Sequence, residues 1–450
     1  MTATQPYRPD PRILELGDGF YDPVAAADFP AAIPRFRNHR AAAEVGLEAT
    51  DWEAHFARFL PLPGNLKQPL ALRYHGHQFR HYNPDLGDGR GFLFAQVRDQ
   101  HVRLLDLGTK GSGQTPWSRR GDGRLTLKGG VREVLATEML EALGVETSRS
   151  FALFETGEAL TRGDEPSPTR SAVLTRLSHS HIRIGTFQRL AFLKDAEGLR
   201  RLTAYVLEHL YNEPANAGPE RLLDLVCERT AKLAASYIAA GFVHGVLNSD
   251  NINVTGESFD YGPWRWAPMW DEGFTAAYFD ENGLYAFGRQ PEAIQWDVAQ
   301  LGGCLALIGE GTALSAPLAD WPRRFELAMI AALLKRLGVA PVSDADDRAL
   351  VSALLAALRG RTVGIDQMFF DWRGGRDPGD GTFPELRAKL AGRQRSLTHA
   401  YWCDPAPCSM LIEEVEAIWA AISERDDWAP FEDKVAAIRR MGEAFAEDAA

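Results

Sequence analysis

A chain of 450 residues, 45% hydrophobic and 10% aromatic, has enough apolar material for more than one lobe, and global disorder is excluded. Its 49 Lys and Arg against 61 Asp and Glu leave a net charge of −12, the wrong sign for a protein that wraps nucleic acid. Four cysteines without a C-x-x-C pair support neither a disulfide scaffold nor a zinc ribbon. No N-terminal apolar h-region and no run of 18 apolar residues is found. The expectation is a reducing, cytoplasmic setting without a membrane partner.

Residues 1–68 mix Pro, Ala and charge, and predict helical pieces near 40–48 and 51–60, the second capped by Asp51. Pro61, Pro63 and Gly64 then break the chain. Residues 69–183 change character. Short β-like runs at 91–97, 102–107, 151–154 and 172–177 alternate with Gly-rich turns. One amphipathic helix runs from Val131 to Leu143, with Gly144 as its stop. From Phe187 the pattern is helical: 199–211, 220–240, 292–308, 321–337, 346–359, 409–424 and 431–445. A β-rich stretch at 244–287 interrupts these helices.

Five motifs carry chemistry. The Gly87-Asp88-Gly89-Arg90 turn leaves backbone N–H groups open to anionic oxygens, with Arg90 as a bidentate phosphate donor; a plain hairpin turn has equal claim. The same tetrapeptide returns at Gly121-Asp122-Gly123-Arg124. Lys110 ends an apolar run before Gly111, where its point charge suits a phosphate; read alone, it is equally a solvated strand-end lysine. Glu133 lies off the apolar stripe of its helix and gains meaning only as a partner of Lys110, as in the strand-Lys and helix-Glu pair of kinases. Arg176 and Arg183 flank the expected junction between lobes, where both suit phosphate.

The sharpest motif is His244-Gly245-Val246-Leu247-Asn248-Ser249-Asp250-Asn251 followed by Asp260-Tyr261-Gly262. Kinases use His-Arg-Asp-x-x-x-x-Asn and then Asp-Phe-Gly. With His244 on the kinase His, Asn251 and Asp260 fall on the two metal-binding positions, and their hard oxygens suit Mg²⁺. The kinase base falls on Val246, which accepts no proton, while the carboxylate of Asp250 stands four residues on. His75-Gly76-His77 with His81 lacks partners at metal-ligand spacing and reads as structural.

These segments, together with Tyr74–Phe79 and Gln114–Arg119, resemble the selenoprotein O family of pseudokinase protein adenylyltransferases, in order and spacing from about residue 72 to 300. The resemblance implies an α+β, protein-kinase-like bilobal fold. It has an N-terminal extension (1–68), a small β-rich N-lobe (69–183), a larger helical C-lobe (184–345) and a C-terminal helical extension (346–450). It implies ATP bound in a flipped pose, with AMP transferred to Ser, Thr or Tyr hydroxyls of proteins and pyrophosphate released. Carried over by position, Lys110 and Glu133 form the phosphate-orienting ion pair. Gly87, Gly89, Arg90, Asp122, Gly123, Arg176, Arg183 and Asp260 bind ATP. Asn251 and Asp260 hold Mg²⁺, with Mn²⁺ as the alternative, and Asp250 is the proton acceptor. A monomer is expected. Some relatives carry a cysteine after Asp-Tyr-Gly-Pro and another near the end; Gly273–Ala277 and Phe445–Ala450 have none, so disulfide gating is not expected here. A conventional kinase and a catalytically inactive nucleotide-binding scaffold remain the alternatives. UTP in place of ATP also stays open.

Overall fold

The computed structural model describes residues 6–163, 165–379 and 381–447. The first five residues and the last three, part of the terminal segments read above, lie outside these.

The N-terminal segment is not a helical appendage. It supplies strands β1 (Tyr21–Pro23) and β2 (Ile33–Arg37) before two short helices, α1 (His39–Glu44) and α2 (Trp52–Phe56). Asp51 caps α2 as expected, accepting the Ala54 N–H at 3.1 Å. Gly46, at φ +71°, stops α1 short of the predicted end. Strands β3 (Leu70–Leu72), β4 (Gly76–Gln78), β5 (His81–Asn83), β6 (Leu93–Arg98), β7 (Leu104–Lys110) and β8 (Leu125–Thr126) follow. Helix α3 (Leu127–Ala142) then precedes the long strands β9 (Arg149–Leu160) and β10 (Thr169–Ser178).

The main sheet is antiparallel in the order β1-β3-β6-β7-β10-β9-β2, with β8 also paired to β10. Both its outer strands on this path therefore come from the first 68 residues. Aromatic packing explains why they stay. Trp52 stacks on Phe151 at 5.1 Å, Phe56 meets Phe94 and Phe151, and Phe59 meets Phe92 and Phe94. Each such buried ring contributes about 2–3 kcal/mol of transfer free energy. This layer covers one face of the sheet, α3 covers the other, and every residue of β7 is buried.

Helix α3 opens on Thr126, whose hydroxyl accepts the Gly129 N–H, and ends at Gly144, at φ +76°. Beyond the sheet come α4 (Ile184–Phe192), α5 (Ala196–Tyr205) with a π turn at Val206–Leu210, and α6 (Gly218–Ala240), stopped by Gly241 at φ +69°. A two-residue hairpin, β11 (Phe242–Val243) with β12 (Arg265–Trp266), is the only strand structure among the described residues of 242–287. The β-rich expectation for 244–287 is therefore corrected. That stretch is a series of turns held by side chains: the Asp280 carboxylate, for instance, accepts the N–H groups of Leu284 and Tyr285. The chain continues through α7 (Gln290–Leu305), α8 (Gly311–Leu337), α9 (Asp344–Arg359), α10 (Ile365–Asp371), α11 (Pro384–Leu390), α12 (Ile412–Arg425) and α13 (Ala429–Glu447). Helix α8 starts ten residues before the predicted 321, because Pro317 and Pro322 inside it read as breaks in sequence. No helix among the described residues is long and apolar enough to cross a membrane.

The tail returns to the front of the molecule. Helix α13 packs on α3, and Arg439 grips the buried Glu138 carboxylate through two nitrogens at 2.7 and 2.8 Å. Arg40, on α1, reaches the same carboxylate at 3.2 Å. Both ends of the chain thus close on one residue of α3. Glu138→Ala leaves two cations without their buried partner and should lower stability by about 3 kcal/mol, read from urea unfolding. A loss below about 0.5 kcal/mol would show that the extensions are held by packing alone.

Candidate functional site

Lys110 ends β7 and Glu133 sits on the second turn of α3, directly across from it. The Lys110 Nζ donates to Glu133 Oε2 at 2.6 Å and to the Tyr261 carbonyl at 3.1 Å. Glu133 is shared: its other oxygen accepts from Arg176 Nη1 at 3.2 Å. Arg176 and Lys110 both reach on to Asp260 Oδ1, at 3.4 and 3.3 Å. Arg183 approaches Asp260 Oδ2 at 3.6 Å and donates to the Asp250 carbonyl at 2.8 Å. Its guanidinium lies between the Tyr74 and Phe259 rings, at 4.2 and 4.8 Å. Lys110, Glu133, Arg176 and Arg183 are buried, while Asp260 keeps 26% of its side chain open to the cavity in front.

That cavity has a volume of about 800 Å³ and is lined by eight Lys and Arg side chains against four Asp. Gly87, Gly89, Arg90, Lys110, Asp122, Gly123, Arg176, Arg183, Asp250, Asn251 and Asp260 all line it. Glu133 stands just behind Lys110. Residues spread over more than 170 positions of sequence thus converge on one net-positive space.

The repeated tetrapeptide has a packing logic. A Cβ on Gly87 would fall 2.4 Å from the Trp117 ring, and one on Gly89 would fall 2.9 Å from the Trp117 carbonyl. The first turn therefore lies flat on the Gln114–Arg119 segment, whose Trp117 indole N–H is held by Asp22 at 2.9 Å. Gly123, at φ +70°, presses its Cα against the Gly113 peptide. Asp122 is engaged: Arg162 grips its carboxylate at 2.7 and 3.1 Å.

The two acidic groups at the floor are shifted in opposite directions. Burial alone would raise the Asp260 pKa, but Lys110, Arg176, Arg183 and Arg90 overcome it and hold the carboxyl well below its ordinary value. Asp260 also adopts φ +62°, a left-handed conformation that Asp tolerates and that functional sites retain. Asp250 is pushed up to about 7 by burial, against the opposing pull of Arg183. Its Oδ1 is buried and has no hydrogen-bond partner. Asn251 donates its amide Nδ2 to the Val246 carbonyl at 3.0 Å, which leaves Oδ1 as its coordinating atom. An ionised carboxylate and an amide oxygen beside a phosphate-sized basic space form the donor set of a hard divalent cation. The residues present fit Mg²⁺.

A family model described as "Protein adenylyltransferase SelO" matches residues 5–378. The chain belongs to the SelO family. It is similar to a "Protein nucleotidyltransferase YdiU" of Gloeobacter violaceus, 43% identical, the match covering 96% of this chain and 95% of that one. The protein of the same name from Synechocystis sp. is 41% identical (95% and 96%), and one from Bradyrhizobium sp. strain BTAi1 is 36% identical (94% and 92%). Within this SelO-family chain the four cysteines are free thiols, including Cys403 and Cys408.

Sequence reasoning left several cavity residues unassigned: Tyr74, Trp117, Arg119, Arg120, Arg124 and Arg162. Asp88, inside a recognised motif, was given no role; its Oδ2 accepts the Leu72 N–H at 3.0 Å and its Oδ1 lies 3.5 Å from Arg183. The Arg119-Arg120 pair directly before the Gly121–Arg124 turn was the available signal. Gly87→Ala should overpack against Trp117, lowering stability by about 1–3 kcal/mol. It should also weaken ATP binding in a calorimetric titration. Unchanged affinity would mean that the turn does not shape the nucleotide space.

Proposed function

We propose that this protein is a protein adenylyltransferase that moves AMP from ATP to Ser, Thr or Tyr hydroxyls of protein substrates and releases pyrophosphate. In this reading the sheet-rich and helical halves are the two lobes of a kinase-like fold, bounded near residues 69, 184 and 346. The protein acts as a monomer in the cytoplasm. Family membership supports the reaction class. The observation that carries the reading for this chain is the floor of the cavity. There the apolar Val246 stands at the kinase base position, and Asp250, with an unpartnered oxygen, stands beside the two candidate metal ligands.

The chain's own groups account for the chemistry as follows. Lys110, Arg176, Arg183 and Arg90 draw the triphosphate into the cavity and neutralise charge that develops as the reaction proceeds. Glu133 fixes Lys110 and Arg176 in place. The acceptor hydroxyl oxygen bonds to the α-phosphorus while the bond from that phosphorus to the β-bridging oxygen breaks, and pyrophosphate carries away the electron pair. Asp250 takes the hydroxyl proton. A cation held by Asn251 Oδ1 and Asp260, when bound, screens phosphate charge and acts as a Lewis acid. Glycines 87, 89 and 123 let the backbone approach the nucleotide closely.

Incubation with ATP labelled at the α- or the γ-phosphate separates this reading from the kinase alternative. Label should reach protein only from the α position, and Asp250→Asn should lower transfer by about 100-fold or more. Transfer from the γ position alone would establish a kinase, and no transfer from either an inactive scaffold.

A further inference from the structure

The hairpin β4–β5 is set apart from the main sheet and pairs only with itself. It leans instead on the loop that carries Asp250. The His77 N–H donates to the Ser249 hydroxyl at 2.7 Å, and that hydroxyl donates to Gln188 Oε1 at 2.6 Å. The Gln188 amide Nε2 lies 2.7 Å from His77 Nδ1 and closes the ring. Two positions further along, the Phe79 N–H donates to Asn248 Oδ1 at 3.0 Å, an oxygen that also accepts from the Tyr285 hydroxyl at 2.7 Å.

Two features show that this contact constrains the hairpin. Its two turn residues, Phe79 and Arg80, sit at φ +48° and +64°, positions that normally demand Asn or Gly. They are held there from outside: the Phe79 ring lies 5.0 Å from Tyr285, and Arg80 bonds Glu292 at 3.0 Å over the Trp296 ring. The second feature is Gly76. A Cβ placed on it would fall 2.8 Å from Asp250 Oδ1 and 2.9 Å from Asp250 Cβ. Just before it, the His75 N–H donates to the Gly185 carbonyl at 3.1 Å. The His75 carbonyl packs so closely on Gly185 that a side chain there would collide with it.

We infer that the 76–83 hairpin is the positioning element of the reaction: its bare Gly76 backbone is the wall against which the Asp250 carboxylate rests, and the His77–Ser249–Gln188 ring fixes that wall to the loop. The inference rests on the reading of Asp250 as proton acceptor. Gly76 touches no reacting atom and acts through Asp250. The wall leaves no room for the carboxylate to swing toward the hairpin, and the buried, unpartnered Oδ1 is the oxygen that rests against it, so the group stays at the cavity it lines. The glycine is required by close approach rather than by backbone conformation, since its φ is not in the left-handed region.

Gly76→Ala tests this in the full chain. A Cβ there displaces the carboxylate by a fraction of an ångström to about one, so kcat for AMP transfer should fall about 100-fold. The KM for ATP and the ATP dissociation constant should hold. In an Asp250→Asn background the same substitution should cost nothing further in residual turnover, because the group it positions has already lost its function. Should Gly76→Ala fold poorly, Ser249→Ala removes the hydroxyl that joins the His77 N–H to Gln188 and should lower kcat about tenfold at constant KM. Wild-type kcat in these variants, a rise in KM instead of a fall in kcat, or an equal penalty in the Asp250→Asn background would each overturn the positioning role. Full activity of Asp250→Asn itself would instead overturn the reading of Asp250, a separate failure.

Discussion

Three buried cations at the heart of this molecule share Glu133 and Asp260, with Asp88 a further 3.5 Å neighbour of Arg183, and the rest of the structure arranges itself around that cluster. Lys110, Arg176 and Arg183 converge on Glu133 and Asp260 at 2.6–3.6 Å. Removing such groups from water costs several kcal/mol per ion, which close pairing offsets only in part. The cavity as a whole is lined by eight Lys and Arg against four Asp, and this excess of positive charge is a standing demand for an anion. Phosphate meets that demand. The same cations hold the Asp260 carboxyl well below its ordinary pKa in spite of burial, the charged state that the proposed metal ligand requires.

Such a cluster needs rigid supports, and the fold supplies them from distant parts of the chain. Lys110 and Arg176 stand on neighbouring strands, β7 and β10, in antiparallel register, with Arg176 opposite Gly108. Glu133 comes from α3, whose far side is braced by both chain ends through Glu138. The loop with Asp250 is pinned between α4 and the β4–β5 hairpin. Each support fixes one charge, and a shift in any of them would leave another charge unpaired. This is why extensions that contribute nothing to the cavity lining still belong to the working part of the molecule.

Much of the site was legible in the sequence because its chemistry is local. Val246, Asp250, Asn251 and Asp260 lie within fifteen residues, and glycines mark two turns, one closing on Trp117 and the other on Gly113. The Lys110–Glu133 pair was legible only through its likeness to kinases, since no periodicity links a strand end to a helix turn 23 residues later. The long helices were legible from their repeats and their stops at Gly144 and Gly241. Other elements were hidden for physical reasons. Strands β1 and β2 are short and proline-bearing, and they join the sheet through partners more than 45 residues away, so no alternation announces them. The 244–287 stretch is aromatic and punctuated like a β region, yet its order comes from side-chain bonds to backbone, which leave no pattern. The hairpin that backs Asp250 reads in sequence only as a structural histidine cluster, because its partner loop lies about 170 residues downstream.

In the proposed mechanism Asp260 is a charged metal ligand held by the cations behind it. Calorimetric titration of ATP into the intact protein, with and without Mg²⁺, tests this without turnover of a protein substrate. The wild type should bind ATP at least tenfold more tightly with Mg²⁺, and Asp260→Asn should bind it equally in both conditions, with metal-free affinity raised because Lys110, Arg176 and Arg183 are released to the phosphates; this is a change of about 1.4 kcal/mol or more in coupling. An Asp260→Asn protein that keeps the full Mg²⁺ dependence would contradict it.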